Sequence, residues 1–320
     1  MSVEPRFLPA ADALAGWRDS LLSGERPTVW PVGTGELASV ELGPGTVLLV
    51  GGMPGAGKTA LVMQWVFDAL RLTPSLRCLV CNVEMTPAAL LDRQLARLSG
   101  VDLTAIRHRQ LTAEHAERID AALATLEPLA DRLAFLRPPF DLANVAAAAD
   151  AFGAELIVLD YIQRIKPPGD HADRRGAVDA VMDYLRQFAD AGTGIIAVSA
   201  VGRGKDARGR SSYAGDALSL ASFRESSELE FGADAAYLLT PDGKEDDIVH
   251  LRCLKNRHGE PRDVRLHFDR PRQRFTPATA TTAAGAPKAD AGRLQKALAD
   301  LWARTPPASD DDQADGRDDA

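Results

Sequence analysis

Between residues 47 and 66 the chain reads VLLVGGMPGAGKTALVMQWV, and no other stretch restricts the possible folds as strongly. Gly52 is followed by four residues and then by Gly57, Lys58 and Thr59, directly after an apolar strand-like run and directly before a helical one. This is the phosphate-cradling loop in the strand–loop–helix context that it requires. Glycines at Gly52, Gly55 and Gly57, with the small Pro54, Ala56 and Ala60 around them, let successive backbone N–H groups wrap the phosphates of a nucleotide. Lys58 is expected to reach the β and γ oxygens, and the Thr59 hydroxyl to take a place on Mg²⁺, so the implied ligands are ATP and Mg²⁺.

Two acidic residues at predicted strand ends suit the remaining chemistry. ELIVLDY closes an apolar run with Asp160, where a carboxylate can hold Mg²⁺ through water, and CLVCNVE ends with Glu84, placed to polarise an attacking water. Each also has a plainer reading as the cap of a following helix; for Glu84 the helical pattern EMTPAAL begins at that point.

From GTVLLVGG to about Phe275, strand-like runs (RCLVCNV, LAFLR, ELIVLDYI, GIIAVSA, AAYLLT) alternate with helical stretches such as PAALLDRQLARLSG. The alternation predicts an α/β domain around a mainly parallel central sheet. IVHLRCL and VRLHF, joined by KNRHGEPRD, predict a C-terminal β-hairpin. In that hairpin Lys255 and Arg257, two residues apart, share one face without an acidic partner nearby in sequence. The domain is expected over 31–275, preceded by a helix in 1–30. Residues 276–320 are expected to be an Ala/Pro-rich linker, a short helix in GRLQKALADLWART and an acidic tail, largely disordered.

Composition excludes some classes. No stretch approaches the roughly 20 apolar residues of a membrane span, and the first residues lack a secretory pattern, so a soluble, cytoplasmic protein is expected. Cys78 and Cys81 form a CxxC inside a buried strand pattern; residues three apart face opposite sides, which predicts inert core thiols and not a zinc or redox pair. The formal net charge is -8, but the final ASDDDQADGRDDA carries about five of those charges. A local basic loop can therefore still hold a polyanion. GRGKDARGRSSYAG places Arg203, Lys205, Arg208 and Arg210 after a strand of the parallel sheet, with Tyr213 and Phe223 as the nearby aromatics, which favours backbone tracking over base reading. KPPGDHADRR, with Arg174 and Arg175, is either a second such loop or a helix start with solvated arginines.

Taken in order, GMPGAGKTAL, NVEMTPAALLDRQLARLSGVDLTAI, IVLDYIQRI, IIAVSAVGR, FRESSELEFGADAAYLL and LKNRHGEP resemble the C-terminal ATPase domain of DnaB-like replicative helicases, within the RecA-like P-loop superfamily, over about residues 35–275. The resemblance implies a homo-oligomer, a hexameric ring that hydrolyses ATP at subunit interfaces and moves along single-stranded DNA. It gives Glu84 the part of catalytic carboxylate and Asp160 that of the Mg²⁺-holding acid. Lys255 and Arg257 would reach the γ-phosphate bound by a neighbouring subunit. Gln163 matches the family pattern, and Arg224 joins the DNA-facing residues, with Glu225 also kept. The N-terminal helix looks like the family's linker helix, while the primase-facing domain is expected to be absent. Two departures stand out: Ala200 takes the place of a γ-phosphate-sensing Gln, and Ser227 that of a Gly. The main expectation is a ring-forming DNA helicase or translocase with replication or mobile-element partners. The alternative is an ATP-gated DNA-binding or adaptor ATPase of a mobile element or defence system, without unwinding.

Overall fold

A computed structural model describes residues 8–24, 26–171, 173–202, 204–205, 211–212, 223 and 228–278. These fall into two units. One, Thr28–Thr282, holds the sheet; the other contains α1 (Ala10–Ser23), which begins after Pro9 and stops at Gly24, whose left-handed φ of 69° ends the helix without a Cβ penalty.

The larger unit is built on a nine-stranded sheet. In chain order its elements are β1 (Val47–Gly52), α2 (Lys58–Leu72), β2 (Cys78–Asn82), α3 (Pro87–Ser99), α4 (Leu103–Arg107), α5 (Ala113–Leu126), β3 (Leu133–Phe135), α6 (Leu142–Phe152), β4 (Leu156–Asp160), α7 (Arg174–Asp190) and β5 (Gly194–Ala200). A small antiparallel pair, β6 (Gly204–Lys205) and β7 (Ser211–Ser212), follows outside the sheet, then α8 (Glu228–Gly232), β8 (Ala235–Pro241), β9 (Ile248–Asn256), β10 (Val264–Asp269) and β11 (Arg274–Pro277). The strand order is β11-β10-β9-β8-β1-β5-β4-β2-β3; the strands from β8 to β3 run parallel and β9 to β11 antiparallel. The expected α/β fold with a mainly parallel sheet is therefore observed, and the C-terminal hairpin is part of a larger antiparallel extension.

Burial on both faces explains the near-continuous apolar strands. Leu48 and Val50 of β1 pack on the side of α2 with Trp65 and Phe67, whereas Val47 and Leu49 join Val181 and Leu185 of α7 on the other face. The CxxC divides the same way: Cys78 belongs to the first cluster and Cys81 to the second, both as buried free thiols. Among the described residues no helix is long and apolar enough to cross a membrane.

Phe223, expected beside the basic loop as an aromatic for stacking, is 3% exposed and packs against β1; a Cβ on Gly51 would sit 2.3 Å from its Cε1. It is a core residue, held there because Gly51 leaves room for the ring. Arg174 and Arg175 open α7, whose cap is Asp173, with Oδ1 accepting from Gly176 N, so this segment starts a helix. Arg203, Arg208, Arg210, Tyr213, Arg224, Glu225 and Ser227 lie outside the described residues, as does the stretch expected to form the late helix. Lys205 is placed by its backbone, in β6.

Candidate nucleotide site

Parallel register brings four strand ends to one edge. Gly52 pairs with Ala200, Val198 with Asp160, and Asp160 with Asn82, so the carboxyl ends of β1, β5, β4 and β2 line up. A crevice beyond such an edge is where open α/β sheets bind ligands. The phosphate loop leaves β1 there. Gly55 and Gly57 take left-handed φ of 79° and 97°, Pro54 is exposed, and Ala56 and Ala60 are buried beneath the turn. Gly57 is required twice over, since a Cβ there would meet Phe268 at 2.8 Å and Phe275 at 2.9 Å. Those two rings stack with centroids 4.1 Å apart. They come from β10 and β11, which are tied to α2 by a two-way bond: Gln64 Nε2 donates to Phe275 O and Phe275 N donates to Gln64 Oε1, each at 2.9 Å.

Lys58 is 6% exposed, and its ammonium donates to the carbonyls of Gly52 at 2.7 Å and Met53 at 3.1 Å. Burial lowers its pKa, while Asp160 and Glu84 favour the charged form. Asp160 is 4% exposed; its Oδ2 accepts from Thr59 Oγ1 at 2.7 Å and from Asn82 Nδ2 at 2.8 Å. Its Oδ1 is buried with no hydrogen-bond partner. Burial pushes this carboxyl up to about 6, against the pull of Thr59, Lys58 and Asn82. A buried, unpartnered carboxylate oxygen beside a threonine hydroxyl suits an oxygen-seeking cation such as Mg²⁺, which binds through one or two protein oxygens and keeps its waters.

Glu84 is exposed at the rim, and its carboxylate Oε2 accepts the Tyr161 hydroxyl at 2.8 Å. Burial and that bond to Glu84 raise the tyrosine pKa, so the hydroxyl keeps its proton. The cap of α3 is Thr86, which accepts from Ala89 N, and not Glu84; the plainer reading of Glu84 therefore fails. Asn82 Oδ1 accepts from the N–H groups of Glu84 and Met85 at 3.1 and 2.7 Å, so one amide ties the strand end to Asp160 and fixes the turn that presents Glu84. Arg93 of α3, Arg270 and Gln273 complete the pocket lining; Arg93 donates to Gln273 Oε1 at 3.0 Å and Arg270 to Gly55 O at 3.1 Å.

Sequence reasoning missed Asn82, Tyr161, Arg93, Arg270 and Gln273. Asn82 carried a signal as the polar residue closing an apolar strand, and Tyr161 as the neighbour of Asp160. Arg270 and Gln273 lie more than 200 residues from the loop, and only the β10–β11 turn brings them back.

Lys255 and Arg257 sit elsewhere. Both donate to the Phe231 carbonyl, at 3.3 and 2.9 Å, so they do converge on one side. Arg257 is not unpaired: its Nη1 meets Asp234 Oδ1 at 3.0 Å. Asp234, 4% exposed, also pairs with Arg186 at 2.7 Å and accepts from Val47 N at 2.9 Å. This cluster marks the amino end of β1, the opposite edge of the sheet from the phosphate loop. Gln163 reaches the carboxyl edge instead, donating to Ser199 Oγ at 2.7 Å and accepting from Ala200 N at 3.3 Å.

The family model for the DnaB-like helicase C-terminal domain matches residues 38–277. A probable plasmid replicative DNA helicase of Chlamydia trachomatis is 23% identical over 236 residues, 72% of this chain and 50% of that protein. The replicative DNA helicase DnaB of Buchnera aphidicola subsp. Baizongia pistaciae is 25% identical over 246 residues, 73% and 52% of the two chains. The chain thus spans about half the length of these curated relatives. Among solved structures, an isolated ATPase domain superposes with a TM-score of 0.72 at 18% identity, covering 85% of this chain and 99% of that one. A DnaB-like replicative helicase, described with its interactions with primase, gives 0.71 at 17%, covering 85% and 67%. With three quarters of its length matched by the family model, the chain belongs to the DnaB-like helicase C-terminal domain family.

Proposed function

We propose that this chain is an ATP-hydrolysing motor domain that assembles with copies of itself and acts on single-stranded DNA. The observation that carries the reading is the gathering of Lys58, Thr59, Asp160 and Glu84 at one sheet edge, over a loop whose glycines hold it open for phosphates. In this reading the loop amides and Lys58 bind the β and γ oxygens, Lys58 exchanging its two carbonyl partners for phosphate. Thr59 and Asp160 hold Mg²⁺, which when bound neutralises charge on the phosphoryl oxygens. Glu84 orients the attacking water and draws on its proton. The basic run from Arg203 to Arg210 follows β5 in sequence, and in this reading it contacts the DNA backbone.

Arg257 supports assembly. Asn256 pairs with Ala235, and Ala235 with Leu48, four residues before Gly52 along β1. Arg257 lies one residue further, with its N–H on the Asp234 carbonyl, so at about 3.3 Å per residue it starts roughly 17 Å along the strands from its own phosphate loop and turns away, toward Asp234. A nucleotide phosphate met by Lys255 and Arg257 would therefore be one bound by a second copy, for which Arg257 would exchange its bond to Asp234. Such an arginine is worth about a thousandfold in hydrolysis rate.

The test measures ATPase activity with and without a single-stranded oligonucleotide, alongside particle size by light scattering. Hydrolysis should rise with DNA in an assembled species. Arg257→Ala should lose about a thousandfold while still binding ATP, and mixing it with Lys58→Ala subunits should restore some sites. A rate indifferent to DNA, from a monomer, would overturn the reading. DNA-dependent assembly without strand separation would instead favour the adaptor ATPase, to which Ala200 at the sensor position points.

A further inference from the structure

Glu84 lies at an open rim, and an unrestrained glutamate there samples many rotamers. Its backbone is fixed by Asn82, but that leaves the carboxylate free to swing about its side-chain torsions. The bond that stops it comes from Tyr161, whose hydroxyl donates to Oε2 at 2.8 Å. Donation to one oxygen leaves the lone pairs of Oε1 for a water. The tyrosine is itself well seated. It follows the buried end of β4, its carbonyl accepts from Arg164 N at 3.0 Å, and the next side chain, Ile162, is fully buried. Its ring also faces the phosphate-loop lysine, with Lys58 Nζ 5.8 Å from the centroid, close enough for a cation–π attraction. One side chain therefore contacts both the cation and the carboxylate of the pocket.

Resting on the hydrolytic reading above, we propose that Tyr161 is a positioning residue: its hydroxyl aims Glu84 at the attacking water. It takes no proton and touches no reacting atom. Its effect is geometric, and a misplacement of about 1 Å at such a centre costs on the order of a hundredfold.

The test uses Tyr161→Phe in the full chain, which keeps the ring over Lys58 and removes only the hydroxyl. Wild-type hydrolysis is measured first; its absence overturns the hydrolytic reading and this inference together. With wild-type activity present, Tyr161→Phe should lower kcat by roughly ten- to a hundredfold. KM and the affinity for a non-hydrolysable ATP analogue should stay within about twofold, because the hydroxyl contributes nothing to ground-state binding. In a Glu84→Gln background the same substitution should cost nothing further, since the group it acts through is already disabled. An unchanged kcat overturns the inference alone. So does a loss that multiplies in the double variant, or a failure of Tyr161→Phe to bind the analogue, which would assign the hydroxyl to folding or ligand binding.

Discussion

At the carboxyl edge of the sheet Asp160 is 4% exposed, and near the amino edge Asp234 is buried to the same extent. Their surroundings differ. Both oxygens of Asp234 are used, by Arg257, Arg186 and the Val47 amide; burial opposes its charge, yet these partners bring the carboxyl below its ordinary range. Asp160 has two donors on Oδ2 and none on Oδ1, and burial carries it up to about 6. Equal burial with opposite titration separates a carboxylate whose two oxygens are both paired from one with a single oxygen engaged.

The largest test of that contrast is Asp160→Asn. At pH 8 it should reduce hydrolysis by roughly a thousandfold, as expected when preorganised charge at a phosphoryl centre is lost. The same change should make the ligand-free protein more stable. The gap between the ordinary carboxyl at 3.8 and the buried one at about 6 corresponds to about 3 kcal/mol. The new amide nitrogen, placed at Oδ1 without a partner, returns about 1 kcal/mol of this. Urea unfolding at pH 8 should therefore show a gain of about 2 kcal/mol. A less stable variant would mean that Asp160 is as well satisfied as Asp234 and that the comparison fails.

Asp234→Ala should have the opposite sign and a similar size. It strands the buried Val47 N–H, at a cost of about 1–3 kcal/mol. Arg186 and Arg257 side chains are 28% and 47% exposed, so water takes up much of their lost pairing. A total loss of about 2 kcal/mol is expected in the same urea titration. ATP affinity should be unchanged, because the phosphate loop stands at the other edge. A drop in affinity would show that the two edges are coupled through β1.

The two edges also differ in how far the sequence revealed them. Gly52 to Thr59 could be read at once, because a turn that wraps phosphates needs contiguous residues with fixed backbone conformations. Asp160 and Glu84 could be read because parallel strands end together, and a carboxylate closing an apolar run marks that end. Asp234 was passed over. Its partners are 187, 48 and 23 residues away in sequence, and its value depends on a register that pairs β8 with both β1 and β9. The supposed isolation of Arg257 was the same error seen from the other side: the nearby acids, Glu260 and Asp263, meet Arg262 and the Cys253 amide, and the acid that meets Arg257 arrived by strand pairing. Phe223 was misread for a related reason. A lone aromatic beside a basic loop resembles a stacking residue until the cavity left by Gly51 is known.

pH is the mildest perturbation, and it acts on the two carboxylates in opposite directions. Asp160 is raised, so the folded state takes up its proton at higher pH than the unfolded chain. The stability tied to that uptake is present below about 4 and is lost as pH rises to about 6. Asp234 is lowered, so its contribution is present above the ordinary carboxyl value and is lost as pH falls below it. The stability gap between Asp160→Asn and wild type should therefore grow between pH 4 and 6, by at most about 1.4 kcal/mol per pH unit, and stay level from there to pH 8. The gap between wild type and Asp234→Ala should stay level from pH 8 to about 5 and shrink only in more acid solution. Parallel curves for the two variants would assign the pH dependence to the rest of the protein and remove the electrostatic distinction between the two edges.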